Sequence, residues 1–415
     1  PSRGRRHAGR VRGDRPRPPA VPRRIADCSF LLLANGAADS PPASGLRDYL
    51  RARGARVTTI IHPLGPEHGN RHEITGYAPG RAPRRRVLCI PSRPPYTFPL
   101  DAVVPPLPPR VDGWFAYNNL LAARGVAARA MRRADTVVYW AVDFVPDRFG
   151  AGSPMTRVYD RLDAWVCRHA DHWVDLSRPA LEGRAARHGL HPGRDTAPAQ
   201  VVPVGVWLDR VPAVPEDGWR ARRVAFLGHL VPRQGVLPLV RAIGLLRSRG
   251  EEVGLDIAGH GPQEEELRRA AAQSGVADLV RFHGFISDHR EVERFLARAS
   301  VAAAPYARDP DSFTRFADPS KLKSYLAAGL PIVMTDVPHN AGELAARAGA
   351  EVVPDDAAPI ADAILRCLST PEGWRERRAA ALAYARGFDW NTLLAAALAP
   401  MGFVEDPERA APTTT

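Results

Sequence analysis

The sequence predicts an α/β chain of two doubly wound domains facing a cleft. Three observations predict it. Short apolar runs alternate with helical segments from Ser29 to Val204, and again from Arg223 to Val353. Such alternation implies parallel strands covered on both faces. A linker, Pro203–Trp219, separates the two series. Within the second, Asp318–Asp336 runs through a short helix, a tight Gly-Leu-Pro turn and a buried strand. A length of 415 residues accommodates two or three domains. Hydrophobic content of 45% is enough for a sizeable core in each.

Residues 1–24 hold nine Arg and one Asp, so they carry +8 of the chain's net +12. With almost no apolar content they are expected to form a disordered basic tail. An Arg-rich arm suits anionic lipid or nucleic acid, but composition alone is thin evidence. A solvated extension is the preferred reading, with no nucleic-acid partner. The first domain, residues 25–205, has expected strands at Ser29–Ala34, Val57–Ile61, Val87–Ile90, Thr136–Val142, Trp173–Leu176 and Val201–Val204. A helix is expected at Ser44–Arg53, ended by Gly54. Pro63–Arg86 shows no periodicity and is expected to be a long loop. Residues 91–110 contain eight Pro and form an irregular connection.

Residues 206–219 link to a second domain, 220–388. Its expected strands are Arg223–Leu227, Leu255–Ala258, Val280–His283, Val301–Ala304, Ile332–Thr335 and Glu351–Val353. Its expected helices are Val236–Ser248, Gln263–Ser274, His289–Ala299 and Ala358–Leu368. Residues 404–415 are expected to be a second disordered tail. The four Cys show no paired spacing, which fits neither a disulfide framework nor a zinc site. Cys28 and Cys89 lie in or beside apolar runs and are expected to be buried thiols. No apolar run reaches the roughly 18 residues of a membrane span, and no signal peptide is visible. The expectation is a cytoplasmic protein, with peripheral contact at the inner membrane face left open.

The chemistry is expected at the strand ends of the second domain. Asp318 suits a helix N-cap and Pro319 the first helical position. Leu322, Tyr325, Leu326 and Gly329 follow the buried-face spacing, whereas Lys321 and Ser324 share another face. The free N–H groups near Ser320 and the Lys321 charge suit a phosphate. Val224-Ala-Phe-Leu-Gly-His-Leu-Val-Pro-Arg-Gln-Gly235 has the order strand, glycine turn, polar loop, helix. A diphosphate can lie over such a turn at Gly228. Asp256-Ile-Ala-Gly-His-Gly-Pro262 supplies a second turn, with Gly259 and Gly261. His62, His68 and His72 do not match a helical metal motif. They are read as surface or acceptor-loop residues, with no metal site.

These segments resemble the GT-B glycosyltransferases of group 1, the retaining family, whose two domains are Rossmann-like. The closest likeness is Pro319-x-Lys321-Leu322 followed by Tyr325-Leu-Ala-Ala-Gly-Leu-Pro-Ile-Val333. The turn at Gly228 is similar to the family's Gly-Arg-Leu-x-x-x-Lys-Gly, with His229 in place of Arg and Gln234 in place of Lys. Arg233 stands beside that second position. In the family's Glu-x7-Glu pair, this chain has Phe316 and Ser324. The resemblance implies transfer of a sugar from a nucleotide-diphosphate sugar to a hydroxyl acceptor, with retention. The acceptor would be a glycan, a lipid-linked sugar or a small molecule. No cofactor beyond that co-substrate is implied. Donor contacts would come from Gly228, His229, Gln234, Gly259, Gly261, Phe285, Ile286, Ser320, Leu322 and Ser324. Lys321 and Arg233 would meet the leaving diphosphate. On the acceptor side stand Asn35, Gly36 and Asn118. Asp143, following a strand, could receive the acceptor's proton. A last helix within 389–403 would pack back on the first domain. Cell-envelope polysaccharide, glycolipid or specialised-metabolite synthesis in a bacterium would suit. The alternatives are a non-catalytic nucleotide-sugar-binding partner of another transferase, and a GT-B sugar-nucleotide epimerase.

Overall fold

The computed structural model describes residues 22–36, 41–64, 70–90, 101–104, 109–286, 288–309 and 313–406. After a short β1 (Arg23–Arg24), the first sheet takes β2 (Ser29–Asn35), β3 (Arg56–His62), β4 (Arg71–Tyr77), β5 (Arg84–Cys89), β6 (Val111–Ala116), β7 (Ala134–Ala141), β8 (His172–Asp175) and β9 (Ala199–Val201). Their order is β5-β4-β3-β2-β6-β7-β8-β9. All pairings are parallel except β3–β4 and β4–β5. The second sheet takes β10 (Arg223–Leu227), β11 (Gly254–Ala258), β12 (Val280–Gly284), β13 (Val301–Ala304), β14 (Ile332–Met334) and β15 (Glu351–Val352). It is wholly parallel, in the order β12-β11-β10-β13-β14-β15. Central strands such as Val224-Ala225-Phe226 are buried on both faces, as helix-covered parallel strands must be.

Several expectations need correction. Pro63–Arg86 is not one long loop, because β4 and the start of β5 lie within it. The β5 strand is exposed along its whole length, so no buried period marks it. Its arginines also discourage edge-to-edge pairing. The central strand β6 escapes the sequence pattern because Asp112 and Gly113 interrupt its apolar run. A Cβ on Gly113 would lie 2.7 Å from the Phe30 ring, so close packing requires the glycine. Cys89 is exposed on β5, although Cys28 is buried. The expected tails are structured at their inner ends. Arg23–Arg24 pairs in parallel with β16 (Phe403–Val404). The Glu405 carboxylate accepts from Arg53 Nε at 2.7 Å and from the Tyr49 hydroxyl. Residues 1–21 and 407–415 lie outside the described residues.

The Trp390–Leu398 helix sends Trp390, Leu394 and Leu398 into a core shared with Phe30, Leu46, Leu50 and Phe115. The chain therefore passes between the two sheets twice, and the passages touch. The Val206 N–H donates to the Phe388 carbonyl at 2.8 Å, and Trp390 N–H donates to the Val206 carbonyl at 3.0 Å. Beneath β7 and β8, Arg184 is wholly buried between Asp163 and Asp175. Among the described residues, no helix is long and apolar enough to cross a membrane.

Candidate functional site

Both sheets reverse their strand order beside one strand: β2 has β3 and β6 as neighbours, and β10 has β11 and β13. Ligands of open parallel sheets bind beyond the carboxyl ends of the strands at such points. In the second sheet the chain leaves β10 through Gly228 (φ +144°) and β11 through Gly259 (φ +148°). A Cβ on Gly259 would lie 1.9 Å from the Gly228 carbonyl oxygen, and one on Gly261 2.4 Å from that of Leu230. The two turns can nest only as glycines. Gly259→Ala is expected to cost about 1–3 kcal/mol from strained backbone alone. It should also displace Gly228, and the loss is read as a lower melting temperature.

The Ser320–Ala327 helix forms the third wall. Its Tyr325 hydroxyl accepts the Leu227 N–H at 2.9 Å and donates to the Ala303 carbonyl at 3.2 Å, which fixes the helix to β10 and β13. Asp318 is not its cap. Pro319 occupies the N-cap position with no side-chain cap bond. The buried Asp318 carboxylate instead pairs with Lys323 and accepts the Val204 N–H at 2.7 Å. Local spacing suggested a cap, but Lys323 is itself only 1% exposed and claims the carboxylate. Lys323→Met is expected to lower unfolding free energy by about 3 kcal/mol, the lower end for a broken buried pair, because the Val204 N–H still serves Asp318. Urea denaturation would measure it.

Gly228, His229, Arg233, Gln234, Gly259, Phe285, Ile286, Ser320, Lys321 and Ser324 all line one cleft of about 420 Å³. Gly261 is not among the lining residues, and Leu322 is wholly buried in the core. Leu322 follows the buried face of its helix, which decides its place. His260, Tyr306, Phe313, Thr314 and Ala317 also line the cleft. Of these, only His260, inside its glycine turn, had a sequence signal. His229, His260 and Phe285 stand edge to face in a row, with ring centroids 5.6 Å apart at each step. Phe285 is 68% exposed, so one side of the row is free to take a flat apolar group.

Lys321 dominates the electrostatics. Its Nζ donates to Gln234 Oε1 at 2.6 Å and lies 4.4 Å from the ring centroids of Phe226 and Tyr306. Burial lowers its pKa from the ordinary 10.5 to about 7. No carboxylate lines the cleft among the described residues. An anionic ligand is therefore the natural counter-charge. Arg233 is exposed at the rim, its guanidinium 5.6 Å from the centre of the Phe313 ring. Phe316 packs edge to face on Phe144 at 5.0 Å, and its carbonyl accepts from Ser177 Oγ at 2.6 Å. That position thus joins the two halves of the chain instead of presenting an acid.

Asn35, Gly36 and Asn118 converge at the carboxyl ends of β2 and β6. Asn118 caps the Asn119–Ala130 helix through the Leu121 N–H and donates to Asn35 Oδ1. Asn35 Nδ2 donates to Asp101 Oδ2 at 3.1 Å, and Gly36 N–H to the His62 carbonyl at 2.9 Å. His62 and His72 are not surface residues: both are 0% exposed and lie beside Asp101. The unseen β3–β4 hairpin hid this. His68 lies outside the described residues. Asp143 is not in the cleft lining; its carboxylate is 2.5 Å from Arg148 Nη2, and its carbonyl accepts from Arg184 at 2.7 Å.

Residues 221–370 match the family model described as glycosyl transferases group 1. This segment, about a third of the chain, is similar to the group 1 glycosyl transferases. A glycogen synthase of Mycobacterium tuberculosis is 27% identical over 248 residues, covering 58% of this chain and 56% of that protein. A GDP-mannose-dependent alpha-(1-6)-phosphatidylinositol monomannoside mannosyltransferase of Mycolicibacterium smegmatis is 36% identical over 119 residues, covering 26% and 31%. The chain thus spans about half the length, or less, of these curated relatives. Among solved structures, sucrose-phosphate synthase of Thermosynechococcus elongatus superposes with a TM-score of 0.64 at 17% identity, covering 88% of this chain and 96% of that one. Anabaena Alr3699/HepE, in complex with UDP, does so with 0.61 at 16%, covering 89% and 99%. The matched segment thus sits within a chain that shares the GT-B fold over about nine tenths of its length.

Proposed function

We propose that the protein transfers a sugar from a nucleotide-diphosphate sugar to a hydroxyl acceptor, with retention of configuration. One observation carries the reading. Lys321 places a desolvated ammonium at a helix start beside the Gly228 turn, in a cleft whose described lining holds no carboxylate. Such a site favours charge that grows on a departing diphosphate. Arg233 and the N–H groups at Ser320 add to it. The row His229, His260 and Phe285, with Ile286, would hold the base, and Ser324 a ribose hydroxyl. Asn35, Gly36 and Asn118 would face the acceptor, with Asp143 receiving its proton once released from Arg148. Closure of the cleft would keep water from the donor. The phosphatidylinositol mannosyltransferase and glycogen synthase likenesses support glycan or lipid-linked acceptors. A lipid-linked acceptor would bring the protein to the inner membrane face.

A panel of nucleotide sugars tests this, with release of the nucleoside diphosphate measured for wild type and Lys321→Ala. Slow release from one donor, abolished in the variant, is the expected result. A second reading, a non-catalytic nucleotide-sugar-binding partner, is favoured by Phe316 at the acidic position. It predicts tight binding and no release with any acceptor. The epimerase reading needs acid–base carboxylates, and the described lining has none.

A further inference from the structure

The first sheet holds a polar cluster that sugar transfer does not use. His62 ends β3 and His72 lies near the start of β4, and the antiparallel register that pairs Ile61 with Glu73 sets them face to face. Asp101, on the connection between β5 and β6, closes the group. The two Nδ1 atoms are 2.8 Å apart. Asp101 Oδ1 lies 3.2 Å from His62 Nδ1 and 3.6 Å from His72 Nδ1. All three side chains are at most 1% exposed.

Hydrogen bonding accounts for one edge of this triangle only. The rings can share a proton between their Nδ1 atoms, yet Asp101 Oδ1, so close to both, has no hydrogen-bond partner. A buried carboxylate oxygen without a donor, beside two ring nitrogens, is what a bound cation would satisfy. The three edges, 2.8, 3.2 and 3.6 Å, bracket the roughly 3.3–3.4 Å that separates nitrogen and oxygen ligands on the face of a zinc tetrahedron. The carboxylate is also held from outside. Its Oδ2 accepts from Asn35 Nδ2 at 3.1 Å, and the Asp101 carbonyl accepts from Arg124 Nη1 at 3.3 Å. Outer partners of this kind are what orient metal ligands.

We infer that His62, His72 and Asp101 bind a divalent transition-metal ion of the zinc class, which pins β3, β4 and the Asp101 segment beneath Asn35, Gly36 and Asn118. Two imidazoles and a carboxylate are a zinc-type donor set, with a fourth position for water. Both imidazoles would bind as neutral rings through Nδ1, with the protons on Nε2. The inference stands apart from the sugar-transfer reading and does not need it.

The full chain, stripped with chelator and dialysed, is titrated with Zn²⁺ and with Co²⁺. One ion per chain is expected, with visible cobalt bands of a nitrogen–oxygen site. Asp101→Asn keeps the shape and the Asn35 contact but removes the charged ligand. It should weaken binding about tenfold or more. His62→Ala with His72→Ala should abolish the bands. Folding of each variant is checked by circular dichroism. A folded wild type that takes up neither ion overturns the inference, as does metal content unchanged in the double variant. Should the variants not fold, the wild-type titration still decides: absent bands refute the site, and nitrogen–oxygen bands support it.

Discussion

Lys321→Met is expected to lower nucleotide-sugar binding and diphosphate release by about 10²–10³-fold, the scale of losing one preorganised charge contact. The same change should raise the thermal midpoint. The ammonium sits against Phe226 and Tyr306 with one neutral oxygen partner, so its charge is under-compensated. Its folded pKa of about 7 lies below the ordinary 10.5. Between those values the unfolded chain holds a proton that the folded chain has released. Stability attributable to this group therefore rises with pH through that window, and below about 7 the penalty is complete. The gain in Lys321→Met should be largest below pH 7. Donor binding runs the opposite way. A bound diphosphate favours the charged amine, so binding above pH 7 takes up a proton, and affinity falls by up to about tenfold per unit. A nucleotide sugar is the right probe because its diphosphate has no ionisation near 7. Calorimetry in buffers of different ionisation heat reads the proton directly. Uptake that persists in Lys321→Met would assign it to another group and sink this account.

Arg184→Met should cost about 5 kcal/mol of unfolding free energy, the upper end for opening a buried ion pair. Arg184 meets two carboxylates. Its guanidinium contacts Asp163, reaches Asp175 at 3.1 Å, and donates to the Tyr139 hydroxyl at 3.3 Å. Methionine fills much of the volume and leaves both acids buried without their cation. Burial by itself raises Asp163, but Arg184, helped by His188 and the Tyr139 hydroxyl, outweighs it and holds the carboxyl near 2. That stability is present above the ordinary carboxyl range and is lost as pH falls toward 2. The variant should therefore unfold at a higher pH on acidification, besides requiring less urea. A loss under 1 kcal/mol would mean that the pair is compensated elsewhere. Because Arg184 also holds the Asp143 carbonyl, the loop after β7 should loosen with it.

The second sheet was legible because its central strands are covered on both faces, so β10, β13 and β14 hold continuous apolar runs such as Val224–Phe226 or Val301–Ala304. The cleft followed from it, since parallel strands deliver Gly228, Gly259 and Phe285 to the same edge. The first sheet was less legible where that condition fails. β5 has no buried face, and β6 packs through a glycine. Missing the β3–β4 hairpin separated His62 from His72 on paper, although the ladder sets them opposite each other. Asp318 shows a different limit. Cap chemistry is local, but the choice between capping a helix and pairing with Lys323 is made by burial, which spacing along one helix does not reveal.

The paired passages at Val206 and Phe388–Trp390 have a mechanical consequence. A single connection would let the two sheets swivel in any direction. Two backbones laid side by side, stapled by the Val206 hydrogen bonds and by Trp390 packed against Gly45 and Gly205, leave bending about one line as the soft motion. The two sheets are then joined like a door on a piano hinge: they can part and meet again in one register, with twist and slide suppressed.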